Sequence, residues 1–387
     1  MYKKELGASP LIISIISSLS SAIVALSRLA GGYIADRYGR REVLWRATFL
    51  MACSYLLLAL APDWKALLVG HAISSLALFY QPALWSLMAD STVKETRGRV
   101  FAVAMFAPGL ISTLAPALAV YLVSSLGLVT SMRLVYAGAS VAGLVAALIR
   151  WRMIRETLPL EARRKLSFLK AYQEAVSFVG RRLLALIVVE CSVSIAYSFM
   201  LLQPYYSVYY LGMSETEWGI VWLAGSAASL AVSLPGGYLA DRVGRKLSLE
   251  LAVLLELASA LLMYTAPVGR ALTIVCMSYV LGSTGSSLYF TAIQTIATDL
   301  TPPQLRGRVN TIRAMTTDFS FSVASLLAGY AYEQVGPRVP FSLAAVACAA
   351  NLLMVALAVG ETLAAASPAD KPFKQDAKRS AYQGERG

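Results

Sequence analysis

Three carboxylates stand inside stretches that are otherwise apolar: Glu190, Glu256 and Asp318. Ionisable groups in such surroundings are costly, and they mark ion paths, proton relays or solute sites. Asp318 lies nine residues past Val309, roughly 13 Å into a helix at 1.5 Å per residue. Glu190 lies at similar depth in a segment beginning at Leu183, on one helical face with Ser194, Tyr197 and Tyr205. Either carboxyl could carry a proton, and Asp318 and Glu190 are the two expected to couple it. A structural pair, such as Asp318 with Arg313 one turn away, is the plainer alternative. Arg28 sits within two turns of Asp36 and fits a gate pair as well as a solute contact.

Other chemistry is poorly supported. There is one histidine, His71, too few for a histidine-rich metal site. Cys53, Cys191, Cys276 and Cys348 fall in apolar segments without metal-ligand spacing and read as small buried residues. No nucleophile elbow, phosphate loop or metal cluster is visible, so an enzyme is not expected and no cofactor is implied.

The elements that must position these residues are membrane helices. Hydrophobic residues make up 57% of the 387 and charged residues 14%, against about 25% charged in soluble domains. A mean hydropathy of +0.62 does not come from one buried core, because such cores stop growing near ~250–300 residues. A membrane helix needs roughly 20 apolar residues. Eleven segments qualify, near 10–35, 43–61, 66–89, 100–126, 132–153, 183–208, 218–240, 247–266, 271–297, 309–332 and 340–360. The expected class is an all-α membrane protein. The net charge of +12 does not point to nucleic acid, because the cations sit in short runs between apolar segments. One side of the membrane collects 27 Lys and Arg and the other six, which makes the first side cytoplasmic and places the C-terminus there. The chain divides into an N-terminal bundle (1–153), a basic connection (154–182), a C-terminal bundle (183–360) and a disordered polar tail (361–387). Within the connection, Leu169, Tyr172, Val176 and Val179 recur at helical spacing. They fit an amphipathic helix on the membrane surface, or simply a basic linker.

The chain repeats itself. Residues 31–40 read GGYIADRYGR and residues 236–245 read GGYLADRVGR, eight matches in ten at an offset of 205. Asp90 precedes Arg97-Gly98-Arg99-Val100 as Asp299 precedes Arg306-Gly307-Arg308-Val309. Glu156-Thr157-Leu158 recurs as Glu361-Thr362-Leu363. Two pseudo-symmetric helical bundles follow, an architecture in which transporters hold solute near the midplane.

GGYIADRYGRR resembles the cytoplasmic loop signature of the major facilitator superfamily, present here in both halves. That resemblance implies a plan of six plus six helices, with about eleven present. Gly7 aligns with Gly212, so Met1 falls at the first external loop and the family's first helix is not in this sequence. A start roughly 25–40 residues upstream, enough for one more span, is expected. An eleven-helix chain with an outside N-terminus is the alternative.

The resemblance also implies a conformational gate built from Gly32, Asp36, Arg37, Gly39, Arg40, Arg41, Asp90 and Arg97. Its mirror set is Gly237, Asp241, Arg242, Gly244, Arg245, Asp299 and Arg306. Asp36 would face the positive end of the helix starting near Val309, and Arg40 would pair with Asp90 as Arg245 with Asp299. Cavity lining implied by the family falls on Tyr80, Gln81, Tyr197, Gln203, Tyr205, Tyr289 and Gln294. The tyrosines among them equally fit an interfacial belt. Two features depart from drug exporters of the superfamily. His71 stands about where those carry an arginine, and only Pro108-Gly109 and Pro116 stand where a glycine run ending in Gly-Pro is usual.

The function expected is secondary transport of a small solute by a monomer in the lipid bilayer of the cytoplasmic membrane. Proton-coupled efflux of small amphipathic or drug-like molecules comes first. Proton-coupled uptake of a sugar or organic acid is the alternative, and a non-transporting sensor or inactive relative is the reading of another class.

Overall fold

A computed structural model describes residues 1–92, 111, 115–157, 172–173, 176–302 and 305–361, apart from the side chains at 32, 36, 82, 85, 86, 89, 90, 181, 182 and 241. Among the described residues every regular element is helical. In chain order these are α1 (Tyr2–Glu5), α2 (Pro10–Tyr38), α3 (Arg40–Leu60), α4 (Trp64–Ala77), α5 (Gln81–Asp90), α6 (Ala115–Leu126) and α7 (Leu128–Met153). The second group is α8 (Arg181–Met200), α9 (Glu215–Arg242), α10 (Arg245–Thr265), α11 (Leu272–Leu300), α12 (Arg306–Tyr330) and α13 (Val339–Ala358).

Local sequence sets the helix ends. Ser9 accepts a hydrogen bond from the Ile12 amide at 3.3 Å, with Pro10 in the first turn of α2. Asp63 accepts from the Ala66 amide at 2.9 Å to start α4. Ser214 and Glu217 form a reciprocal capping box at the start of α9. These caps satisfy amides that have no partner within the helix. Gly39 and Gly244 link α2 to α3 and α9 to α10 at φ of 97° and 147°, a region that disfavours any residue with a Cβ.

Seven described helices are long and apolar enough to cross a membrane. Leu234 and Leu357 are 85% and 86% exposed. Outward leucines of this kind need apolar surroundings, and lipid supplies them. The same reasoning corrects the expectation for the cysteines. Cys348 is buried and Cys191 and Cys276 are half-buried, but Cys53 lies exposed on α3. The segment expected over 66–89 is two helices joined by a tight turn at Leu78–Tyr80. Pro82 lacks the amide proton that a continuous helix requires. α8 is interrupted in the same way before Gln203-Pro204, and a wider helical turn follows over Tyr206–Tyr210.

The repeat is written in hydrogen bonds. The Trp64 amide donates to the Leu6 carbonyl at 3.0 Å, and the Gly269 amide to Leu211 at 2.9 Å. Arg133 donates to the Ala61 carbonyl at 3.3 Å, and Arg338 to Ala266 at 3.2 Å. Glu156 accepts from the Arg40 and Arg41 amides, both at 3.1 Å. Glu361 accepts from those of Arg245 and Lys246, at 3.2 and 3.1 Å. Arg41 donates to the Trp151 carbonyl, and Lys246 to Ala356. Every residue in these pairs is displaced by 205. α2 to α7 therefore correspond to α9 to α13, and α8 has no repeat partner within this sequence.

The halves meet along α2 and α12. Gly329 packs on Ser14 and Leu11, and a Cβ there would lie 2.6 Å from the Ser14 Cβ. Ser18 and Ser322 hydroxyls lie 3.0 Å apart, and Ser322 donates to the Ser18 carbonyl at 2.8 Å. Ser21 donates to the Asp318 carbonyl at 3.0 Å. Small residues bring the two backbones close, and hydroxyls bridge them, which is how helices associate without a hydrophobic drive between them.

Candidate functional site

Following α2 and α12 inward from Gly329, the small-residue contact ends at an ion pair. Arg28 of α2 lies 2.8 Å from the Asp318 carboxylate of α12, so the bridge joins one half to the other. Their side chains keep 30% and 22% of their exposure. Both side chains are partly exposed, while the bridging Oδ2 of Asp318 is itself buried. Arg313 is not its partner.

Arg313 instead grips Glu190. Its Nε donates to one carboxylate oxygen at 2.8 Å and its Nη2 to the other, a two-pronged bond between α8 and α12. Its Nη1 donates to the Asn310 side chain at 2.8 Å. Glu190 and Arg313 are only 8% and 3% exposed. Ser194, one turn along α8, donates to the Thr317 carbonyl at 2.7 Å. Glu190 thus belongs to an internal clamp of the C-terminal half, held by an arginine that its own sequence surroundings do not reveal.

Glu256 of α10 is the third carboxylate, and it is 6% exposed. The Tyr197 hydroxyl donates to it and lies 3.1 Å from the Ser286 hydroxyl. These residues, with Gln203 and Tyr279, line a cavity of about 170 Å³ among α8, α10, α11 and α13. Tyr289 stands edge-on to Tyr197, with centroids 6.5 Å apart. Tyr197 and Gln203 from the expected lining are brought together here, inside the C-terminal bundle.

The rest of the expected lining is scattered. Tyr205 packs against Tyr209 and Tyr332 at the far end of α8, with centroids at 4.8 and 5.6 Å. It belongs to an aromatic cluster and not to the lining of this cavity. The Tyr80 ring faces Arg150 at 5.5 Å within the N-terminal half, next to Ala35, Val43 and Ala83. Gln81 and Gln294 are half-buried.

At the loop signatures, Arg245 bridges Asp299. Arg306 donates to the Thr301 and Thr298 carbonyls at 3.2 and 3.4 Å, closing the end of α11. Arg37 donates to the Tyr33 hydroxyl at 3.3 Å, and Arg242 stacks over Tyr238 at 5.6 Å. The side chains of Asp36, Asp90 and Asp241, Gly32 beyond its backbone, all of Arg97 and most of the 154–182 connection lie outside the described residues. Sequence reasoning missed the role of Glu156 and Glu361. Their recurrence at the same offset as the glycine-rich loops was the available signal: each carboxylate seats the first amides of the helix that its loop begins.

The profile of the Major Facilitator Superfamily matches residues 1–229 and 185–382. A stretch of 120 residues is 28% identical to the uncharacterized MFS-type transporter YqjV of Bacillus subtilis, covering 31% of this chain and 29% of that relative's length. Two solved structures share the fold. The crystal structure of the human organic anion transporter MFSD10 (TETRAN) superposes at a TM-score of 0.61, with 20% identity over 89% of this chain and 83% of that one. A POT family transporter in complex with 5-aminolevulinic acid superposes at 0.73, with 14% identity over 91% and 88%.

Proposed function

This chain belongs to the major facilitator superfamily, and from that premise we propose a proton-coupled exporter of small amphipathic or drug-like molecules that works by alternating access as a monomer in the cytoplasmic membrane. The bundles 1–153 and 183–360 are its moving halves, the connection 154–182 and the tail beyond 361 lie in the cytoplasm, and the basic loops face that side by the excess of cations there.

The observation that carries the reading is the Arg28–Asp318 bridge. It spans the two bodies that must rock against each other, and its side chains are only partly buried. A proton added to the Asp318 carboxylate removes its negative charge and with it the attraction to Arg28, so the bridge opens and the halves are freed at that level. Loss of the proton restores the bridge. The Glu190–Arg313 clamp keeps α8 and α12 moving as one piece. The Arg245–Asp299 bridge ties the start of α10 to the end of α11 within the C-terminal half, so that the basic loop moves with its own bundle.

The experiment is flux of small amphipathic dyes in proteoliposomes under an imposed pH gradient. Export against the dye gradient, driven by protons and lost in Asp318→Asn, is the expected result. Accumulation in the opposite sense would move the protein to proton-coupled nutrient uptake. Absence of any flux would make it a sensor or an inactive relative, and flux indifferent to pH would remove proton coupling.

A further inference from the structure

Glu256 lies in a setting that the proton-coupled bridge does not explain. Its carboxylate is almost wholly buried in a membrane bundle, and no lysine or arginine lines the cavity it faces. The Tyr197 and Ser286 hydroxyls that meet it are neutral. Arg313 and Arg28, the arginines nearest the middle of the bundle in sequence, are bound to Glu190 and Asp318. A carboxyl taken out of water is held either by a proton of its own or by a compensating positive charge. Among the described residues no lysine or arginine lines this cavity, and about 170 Å³ of space lies beside the group.

The walls indicate which cation fits. Tyr197 and Tyr279 present aromatic rings, and Met200, Ala196 and Ala260 add apolar surface. Tyr279 is held in place by Trp218, edge to face at 5.4 Å. Aromatic faces attract organic ammonium groups, and Gln203 offers an amide oxygen to an N–H donor. A metal ion would call on the hydroxyl oxygens and leave the rings and thioether unused. The volume lies below the ~300–1,000 Å³ of sites for drug-sized ligands, so it suits a small amine or the amino end of a longer solute.

We propose that the cavity among Tyr197, Gln203, Glu256, Tyr279 and Ser286 is a binding site for the ammonium group of a small organic amine. The proposal rests on the transporter reading and names a substrate class for it. Glu256 neutralises the charge, the two tyrosine rings flank it, and the apolar walls take the carbon skeleton.

The test is calorimetric binding of benzylamine to the purified full chain in micelles, with benzyl alcohol and benzoate as neutral and anionic analogues of the same shape. Benzylamine is expected to bind at least about tenfold more tightly than either analogue. Glu256→Gln is expected to remove that preference while leaving benzyl alcohol binding unchanged. Equal affinity for benzylamine and benzyl alcohol, or unchanged benzylamine binding in Glu256→Gln, overturns the proposal. So does stabilisation by sodium chloride that depends on Glu256 without any amine binding. Should Glu256→Gln fail to fold, competition in the wild type decides: n-butylamine displaces benzylamine and n-butanol does not, and equal displacement refutes the site. Binding in micelles needs no gradient. Absent flux with intact amine binding therefore counts against the transport reading alone, and proton-driven flux without amine binding counts against this site alone.

Discussion

A carboxylate that faces an arginine within its own half stays paired however the halves move, whereas one that faces an arginine on the other half is released when they part. Glu190 is of the first kind and Asp318 of the second. Their variants should fail in different ways. Glu190→Gln leaves Arg313 buried without its counter-charge, which costs about 3–5 kcal/mol, so a thermal or denaturant melt in micelles should show a large loss of stability. Pairing it with Arg313→Met removes both charges and should recover most of that loss; a double variant no more stable than Glu190→Gln would mean that the clamp is not the cause. Asp318→Asn keeps the size and hydrogen-bonding capacity of a side chain that is less buried than Glu190, so the melt should move less than in Glu190→Gln. Its effect belongs in the flux assay, as a fall of at least about tenfold in pH-driven transport. Both carboxylates were legible in the sequence as acids among apolar residues. Their partners were not, because a contact between residues 123 or 290 positions apart follows from how helices pack and leaves no local pattern.

At the level of elements, the interior helices α11 and α12 were readable as the segments 271–297 and 309–332, while the breaks at Leu78–Tyr80 and before Gln203 were not. α11 and α12 are 29 and 25 residues long, and both carry polar residues along their length. Ser278 of α11 bonds Ser259, and Arg313, Ser322 and Asp318 of α12 bond Glu190, Ser18 and Arg28, so these polar residues serve contacts inside the protein. α12 is also where a small change should be most visible. Gly329→Val would place a side chain 2.6 Å from the Ser14 Cβ and 3.0 Å from the Leu11 Cα. Neither α2 backbone nor Ser14 can yield far, so overpacking of about 1–3 kcal/mol is expected, seen as a lower melting temperature. Gly237→Val, where nothing lies within 4 Å, is the control and should show only the ordinary propensity change. At the helix starts, Glu156→Gln and Glu361→Gln each remove a charged acceptor from two amides. Each should cost about 0.5–2 kcal/mol, and the two losses should be alike because the repeat gives them the same geometry. Melts differing by much more than that range would show that one cap carries a further load.

The two halves of the whole molecule share four sets of hydrogen bonds at one offset, and this symmetry was visible in the sequence as soon as the glycine-rich loops were aligned. Symmetry alone says nothing about which end is closed. That comes from the pairing of α2 with α12, where Leu11, Ser14 and Ser18 meet Gly329 and Ser322 in the part remote from the basic loops, and Ser21 meets Asp318 further in. Rocking of the halves has to separate these residues in the other state. A protein carrying Ser18→Cys and Ser322→Cys, with its four native cysteines replaced by alanine, places two thiols where hydroxyls lie 3.0 Å apart. Mild oxidation should join them, and the joined protein should lose flux because the halves can no longer part at that end. A reducing agent should restore it, since the bond adds nothing else. The cysteine pair left reduced should transport at nearly the parental rate, because a thiol replaces a hydroxyl of similar size. Undiminished flux in the oxidised protein, with complete crosslinking verified by peptide mass, would show that transport does not require this interface to open and would sink the alternating-access reading.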